Sequence, residues 1–130
     1  MGPGQQQKRI LIIDDDQDIA ITLSMALGDK GFKADSCTNP VLASKNFREN
    51  LYDVVILDIK MPISDGFLVY HKIKRVDKKV KIIFLTATEF YYEEIRKERG
   101  FDRFNQELFL RKPIHIKDLV HEIRKLLESK

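Results

Sequence analysis

Short apolar runs separated by polar stretches set the pattern of this chain. Residues 10–13, 54–57 and 82–85, and more weakly 108–110, are continuous runs rich in Ile, Val, Leu and Phe. Continuous runs of that length suit strands covered on both faces, since a half-exposed strand alternates apolar with polar. Residues 32–36 do alternate and fit an edge strand. Between the runs the period lengthens. Ile19, Leu23 and Leu27 repeat every four residues, with Gly28 and Gly31 placed to stop a helix. Asn39-Pro40 and Ser64 or Asp65 supply N-caps for helices over about 40–49 and 65–76. A further helix is expected over 89–99, ending at Gly100, and Leu119, Ile123, Leu126 and Leu127 mark a final amphipathic helix.

Strand and helix therefore alternate five times, a (βα)5 order. Such alternation predicts an α/β, doubly wound parallel sheet with right-handed crossovers and helices on both faces. Reactive groups in this architecture gather beyond the carboxyl ends of the strands. The first expected strand is followed by Asp14, Asp15 and Asp16, the third by Asp58, the fourth by Thr86 and the fifth by Lys112-Pro113. Residues 100–106 form the longest irregular connection.

Composition narrows the classes without changing the fold. The chain has 130 residues, enough for one domain, and 43% hydrophobic content supports a core. A net charge of +3, from 23 basic and 20 acidic residues, does not by itself suggest nucleic acid. One cysteine, Cys37, can make neither an internal disulfide nor a zinc site, and suits a reducing compartment. The apolar runs are too short to span a bilayer, and residues 1–7 lack the apolar stretch of a signal peptide. The expectation is a cytoplasmic protein without membrane contact, with 1–7 as a disordered lead-in or an expression remnant and 8–130 as the domain.

Asp14, Asp15 and Asp58 brought close together repel one another, and a hard divalent cation relieves that repulsion; Mg²⁺ favours a few carboxylates plus water. A carboxylate can also act as a nucleophile toward phosphorus, giving an aspartyl phosphate. Transfer then needs alignment and charge neutralisation, for which Lys112 offers a cation and Thr86 a hydroxyl. Asp16 reads as the N-cap of the following helix, a structural role. Asp14, Asp16 and Asp18 imitate a calcium loop, but Ile19 stands where the glycine is needed and Met25 where the bidentate glutamate is needed. His71, His115 and His121 lack ligand spacing, and the basic run from Lys72 to Lys81 reads as a solvated helix end.

With these residues in view, the chain resembles the receiver domain of two-component response regulators from about Lys8 onward. Asp14-Asp15 matches that family's acidic pair, and Asp58, within the run from Leu57 to Gly66, matches its phosphoacceptor signature. Leu85-Thr86-Ala87 matches the switch hydroxyl, Lys112-Pro113 the lysine and its proline, and Phe109 the aromatic switch position. The resemblance implies a flavodoxin-like sheet of strand order 2-1-3-4-5. It implies that Asp58 is phosphorylated by a histidine kinase or phosphotransfer protein. Mg²⁺ is expected on Asp15, Asp58 and the Lys60 backbone carbonyl, with Asp14 acting through water. Thr86 and Phe109 are expected to move together on phosphorylation, and the Lys112-Pro113 peptide to be cis. The expected output surface combines the fourth helix, fifth strand and fifth helix. It offers a face for a second copy or an output partner, without direct nucleic-acid binding. The family reading makes the chain a signalling module whose only chemistry is self-catalysed phosphoryl transfer and slow autodephosphorylation. Two features depart from the family pattern. The connection over 100–107 is longer and bulkier than usual, and Phe109 lacks a tyrosine hydroxyl.

Rival readings fare worse on the same residues. A haloacid-dehalogenase-like phosphohydrolase needs Thr or Val where Asp18 stands, and an acidic pair soon after Lys112. A nucleotide binder needs a phosphate-cradling first loop, where three aspartates would repel the ligand. A degenerate receiver acting only as an interaction module conflicts with the intact set of site residues.

Overall fold

The computed structural model describes residues 7–59, 66–86 and 108–128, with the side chains of Phe67, Thr86 and Leu108 left aside. The helix expected over 89–99, the connection over 100–107, Lys60 and the expected caps Ser64 and Asp65 lie outside the described residues. So does the expected lead-in, apart from Gln7.

Among the described residues nine elements follow in order: β1 (Arg9–Ile13), α1 (Gln17–Asp29), β2 (Lys33–Cys37), α2 (Pro40–Asn46), β3 (Val54–Asp58), α3 (Gly66–Val76), β4 (Lys81–Thr86), β5 (Leu108–Arg111) and α4 (Ile116–Glu128). The five strands form one sheet in the order β2-β1-β3-β4-β5, and every pairing is parallel. This is the flavodoxin-like order expected from the sequence.

Two cores explain the continuous apolar runs. Leu11, Ile13, Val55, Leu57, Ile82 and Phe84 point to one face of the sheet, where α2 and α3 cover them with Ala43, Val69, Tyr70 and Ile73. Their neighbours Ile10, Ile12, Val54, Ile56, Ile83 and Leu85 point to the other face, under Ala20 and Leu27 of α1 and Leu119 and Ile123 of α4. Alternation still operates, but both destinations are apolar. Full burial of each such side chain contributes about 1.5–3 kcal/mol, so a one-residue slip in register gains nothing.

Local signals account for most boundaries. Asp16 caps α1 by accepting from the backbone N–H groups of Asp18 and Ile19, and Asn39 caps α2 through Val41 and Leu42. Gly31, at φ +99°, takes the left-handed position just after α1. Helix α2 stops at Asn46, three residues short of the expected end. Phe47 turns extended and buries its ring, 5% exposed, against Tyr52. The edge strand is offset by one residue from the expected 32–36, because Phe32 serves as a core residue beneath the Arg124 guanidinium.

Candidate functional site

Register brings the acidic residues together. Ile13 of β1 pairs with Leu57 of β3, so Asp14 and Asp58 are the next residues out on adjacent strands, about 4.8 Å apart in the hydrogen-bonding direction. The Asp14 backbone N–H donates to the Cys37 carbonyl (3.2 Å), which ties the β1 end to β2. Its side chain is fixed twice. Oδ1 accepts from the Asp16 N–H (2.9 Å) and Oδ2 from the Lys112 ammonium (2.9 Å). Asp15 points to solvent, while Asp14 and Asp58 are buried at 2% and 7% exposure. Carboxylate oxygens of Asp14, Asp15 and Asp58 lie within 4.8 Å of one another.

Lys112 is the counter-charge. Its Nζ lies 3.6 Å from Asp58 Oδ2, an ion-pair distance too long for a hydrogen bond. Burial alone would push the ammonium down. The hydrogen bond to Asp14 and the charges of Asp58 and Asp14 outweigh it and hold Lys112 above the usual lysine range. Among the described residues, one ammonium among three carboxylates leaves a negative, oxygen-rich cleft, two of whose acids are shut off from bulk water. Hard oxygen donors at this spacing fit a divalent cation such as Mg²⁺, which keeps part of its water shell. The Lys112-Pro113 peptide is cis, as expected.

The other expected site residues divide. Thr86 ends β4, one residue beyond Leu85, which pairs with Asp58, and is itself in register with Arg111. Phe109 lies on β5 in register with Phe84. It is half-buried, and its ring stacks on Phe84 at 4.7 Å and 17°, with Tyr70 on Phe84 at 5.3 Å. The histidines His71, His115 and His121 are exposed, and Cys37 is a strand-end residue whose thiol donates to the Asn39 carbonyl.

One determinant of the site carried no chemical signal in the sequence. Gly66 opens α3 and donates its N–H to the Ile59 carbonyl (2.7 Å). A Cβ there would collide with the carbonyl oxygen of Asp58 and stand 2.8 Å from Ile59 Cα. Only glycine allows α3 to start this close to the backbone of Asp58. Spacing marked Gly66 as part of a signature, but the contact that requires it spans the connection after β3.

An apolar groove of ≈ 340 Å³ opens beside the cluster. Ile19 and Leu23 of α1 wall it on one side, Pro113 and Ile114 on the other, with Asp18 and Lys112 at its margin.

Comparison with known proteins agrees with this arrangement. The family model of the response regulator receiver domain matches residues 10–124. The response regulator receiver protein CpdR of Brucella abortus is 31% identical over 120 residues, 92% of this chain and 97% of its own length. The transcriptional regulatory protein PrrA of Mycobacterium tuberculosis is 29% identical over 100% of this chain, which spans only 54% of PrrA. Among solved structures, the non-phosphorylated HemR receiver domain of Leptospira biflexa has a TM-score of 0.80 at 27% identity, covering 95% of this chain and 97% of that one. The response regulator TrrA of Thermotoga maritima, solved with Mg²⁺ and beryllofluoride, has a TM-score of 0.74 at 31% identity, covering 92% and 99%.

The chain is a receiver domain and belongs to the response regulator receiver family of two-component signalling proteins.

Proposed function

We propose that Asp58 is the phosphoacceptor, taking its phosphoryl group from a histidine kinase or phosphotransfer protein in a Mg²⁺-dependent reaction. The observation that carries this is the shared cation. Lys112 bridges Asp14 and Asp58 while three carboxylates converge at the ends of β1 and β3. Asp14, Asp15 and Asp58, with the Lys60 carbonyl, would hold the ion. When bound, Mg²⁺ neutralises charge on the acceptor and on the incoming phosphoryl oxygens.

A carboxylate oxygen of Asp58 attacks phosphorus in line with the donor's N–P bond. That bond breaks, its electron pair returns to the histidine nitrogen, and an acyl phosphate forms on Asp58. Lys112, held by Asp14, stays positioned to pair with a phosphoryl oxygen as Asp58 loses its own negative oxygen. The Thr86 hydroxyl would donate to another. Phe109, stacked on Phe84 at the edge of the α2/α3-side core, would repack as Thr86 moves and so alter the surface around β5 and α4.

The groove walled by Ile19, Leu23, Pro113 and Ile114 supports a protein donor, because an apolar recess beside the acceptor lets a partner bury side chains while presenting its phosphohistidine. The receiver unit would comprise residues 8–130, a cytoplasmic signalling module. No described helix is long and apolar enough to cross a membrane.

Acetyl phosphate with and without Mg²⁺, followed by intact mass, tests this reading. The wild type and Thr86→Ala are expected to gain one phosphate only with Mg²⁺, and Asp58→Asn none. Equal incorporation into Asp58→Asn would overturn the assignment.

A further inference from the structure

A second groove, of ≈ 350 Å³, runs between α2 and α3 on the outer side of the core they cover. Its lining comes from two matching stripes, Val41, Ser44 and Lys45 on α2 and Lys72, Arg75 and Val76 on α3. Each stripe has i, i+3, i+4 spacing, so each occupies one face of its helix. Three cations and two valines thus face one recess.

Two features separate this surface from an ordinary solvated one. The first is apolar exposure. Among the described residues seven large hydrophobics are exposed; Val41 and Val76 line this groove and Leu68 lies on α3, whereas Leu42 of α2 lines a separate recess with Cys37 and Phe47. Leu68, 51% exposed, extends the α3 stripe by one turn beyond Lys72. The second is charge. Neither α2 nor α3 contains an Asp or a Glu, although the chain as a whole has 20 acidic residues. Among the described residues no carboxylate pairs with Lys45, Lys72 or Arg75. Lys74 on the same helix, by contrast, spends its ammonium on the carbonyls of Lys78 and Val80.

We infer that this groove docks an acidic amphipathic helix from a partner protein. Apolar residues at i, i+3, i+4 and i+7 of such a helix would pack on Val41, Val76 and Leu68, while flanking Glu or Asp side chains meet the three cations. A second copy of the chain is disfavoured, because a self-complementary contact here would oppose cation to cation. Nucleic acid is disfavoured by the valine walls, which offer phosphates nothing. The groove is separate from the carboxylate cluster, so this proposal stands or falls apart from the role of Asp58.

The test titrates the ¹⁵N-labelled full chain with a helical peptide of about 14 residues carrying leucines on one face and glutamates beside them. Amide shifts are expected on α2 and α3. Lys72→Glu/Arg75→Glu should weaken binding at least about tenfold, and Val76→Ser about threefold. All three positions are exposed, so the variants should keep their melting temperatures. A peptide with glutamates replaced by lysines should not bind. Shifts elsewhere, or binding by the double variant within about twofold of wild type, would overturn the proposal. So would tighter binding of duplex DNA or phosphatidylserine vesicles at the same residues.

Discussion

Asp14 and Asp77 show how differently two buried carboxylates are managed in one small domain. Asp14 leans on the cation of Lys112 at the carboxyl ends of the strands. Asp77, 3% exposed and just past α3, is held mainly by backbone hydrogen bonds, with the Lys74 charge as a lesser help. It accepts from the backbone N–H groups of Asn50 (2.9 Å), Lys79 (2.9 Å) and Val80 (3.3 Å). Burial alone would raise its carboxyl, but the three N–H donors, with Lys74 nearby, outweigh that and lower it below the ordinary 3.8. A depressed carboxyl contributes stability that is present above its unfolded value and lost as pH falls through its folded value. Asp77→Ala should therefore cost about 1–3 kcal/mol near neutral pH. That gap should narrow only below about pH 4. Denaturant melts of both proteins between pH 7 and pH 3 would check it, and a gap that widened with acid would contradict the assignment. Two of those donors follow Asp77 closely, as in any turn opened by Asp, but the third, Asn50, lies 27 residues away and could not be read locally. Spacing placed Gly66 in a signature, but the reason it must be glycine was hidden in the same way. Its necessity depends on the backbone of Asp58, which local pattern does not reveal.

The elements were easier to read where one physical cause dominated. Strands β1, β3 and β4 stand out because both sheet faces are covered, and that makes their sequences continuously apolar. Asp16 and Asn39 announced α1 and α2 because a helix start needs an acceptor for its free N–H groups. Misjudged boundaries lay where tertiary packing competed. Phe47 ended α2 early to reach the core, and Phe32 joined the core beside α1 instead of opening β2. The groove between α1 and the segment after β5 was not legible at all, since Ile19 and Ile114 meet only in the fold. If a protein donor docks there, Ile114→Asp should slow phosphoryl transfer from a phosphohistidine protein by at least about tenfold, or about 1.4 kcal/mol. The rate with acetyl phosphate should stay within about twofold, because the small donor needs no groove. Parallel rate measurements separate the two cases, and an equal loss with both donors would place the defect in the chemistry.

Taken together, the elements build a scaffold whose purpose is visible at one edge of its sheet. Asp14, Asp58, Thr86 and Lys112 come from four segments far apart in sequence, and parallel pairing alone delivers them to the same end. Their positions after the strands were legible because α/β sheets put loops there. Their distances were not, because side-chain geometry depends on packing around them. If Asp14, Asp15 and Asp58 hold a cation as proposed, its binding should stabilise the fold. A ligand at about ten times its dissociation constant stabilises the folded state by about 1.4 kcal/mol. Mg²⁺ should raise the melting temperature of the wild type, and hardly that of Asp15→Ala. Equal shifts in both proteins would point to a site elsewhere.

The central claim is that Asp58, and no neighbouring carboxylate, receives the phosphoryl group. Borohydride reduces an acyl phosphate and leaves an alcohol at the modified side chain, so the site can be mapped by peptide mass spectrometry after acetyl phosphate and Mg²⁺ treatment. The reduced residue is expected at Asp58, with Asp14 and Asp15 unmodified. Reduction mainly at Asp14 or Asp15, or phosphate found on a serine instead, would contradict the account.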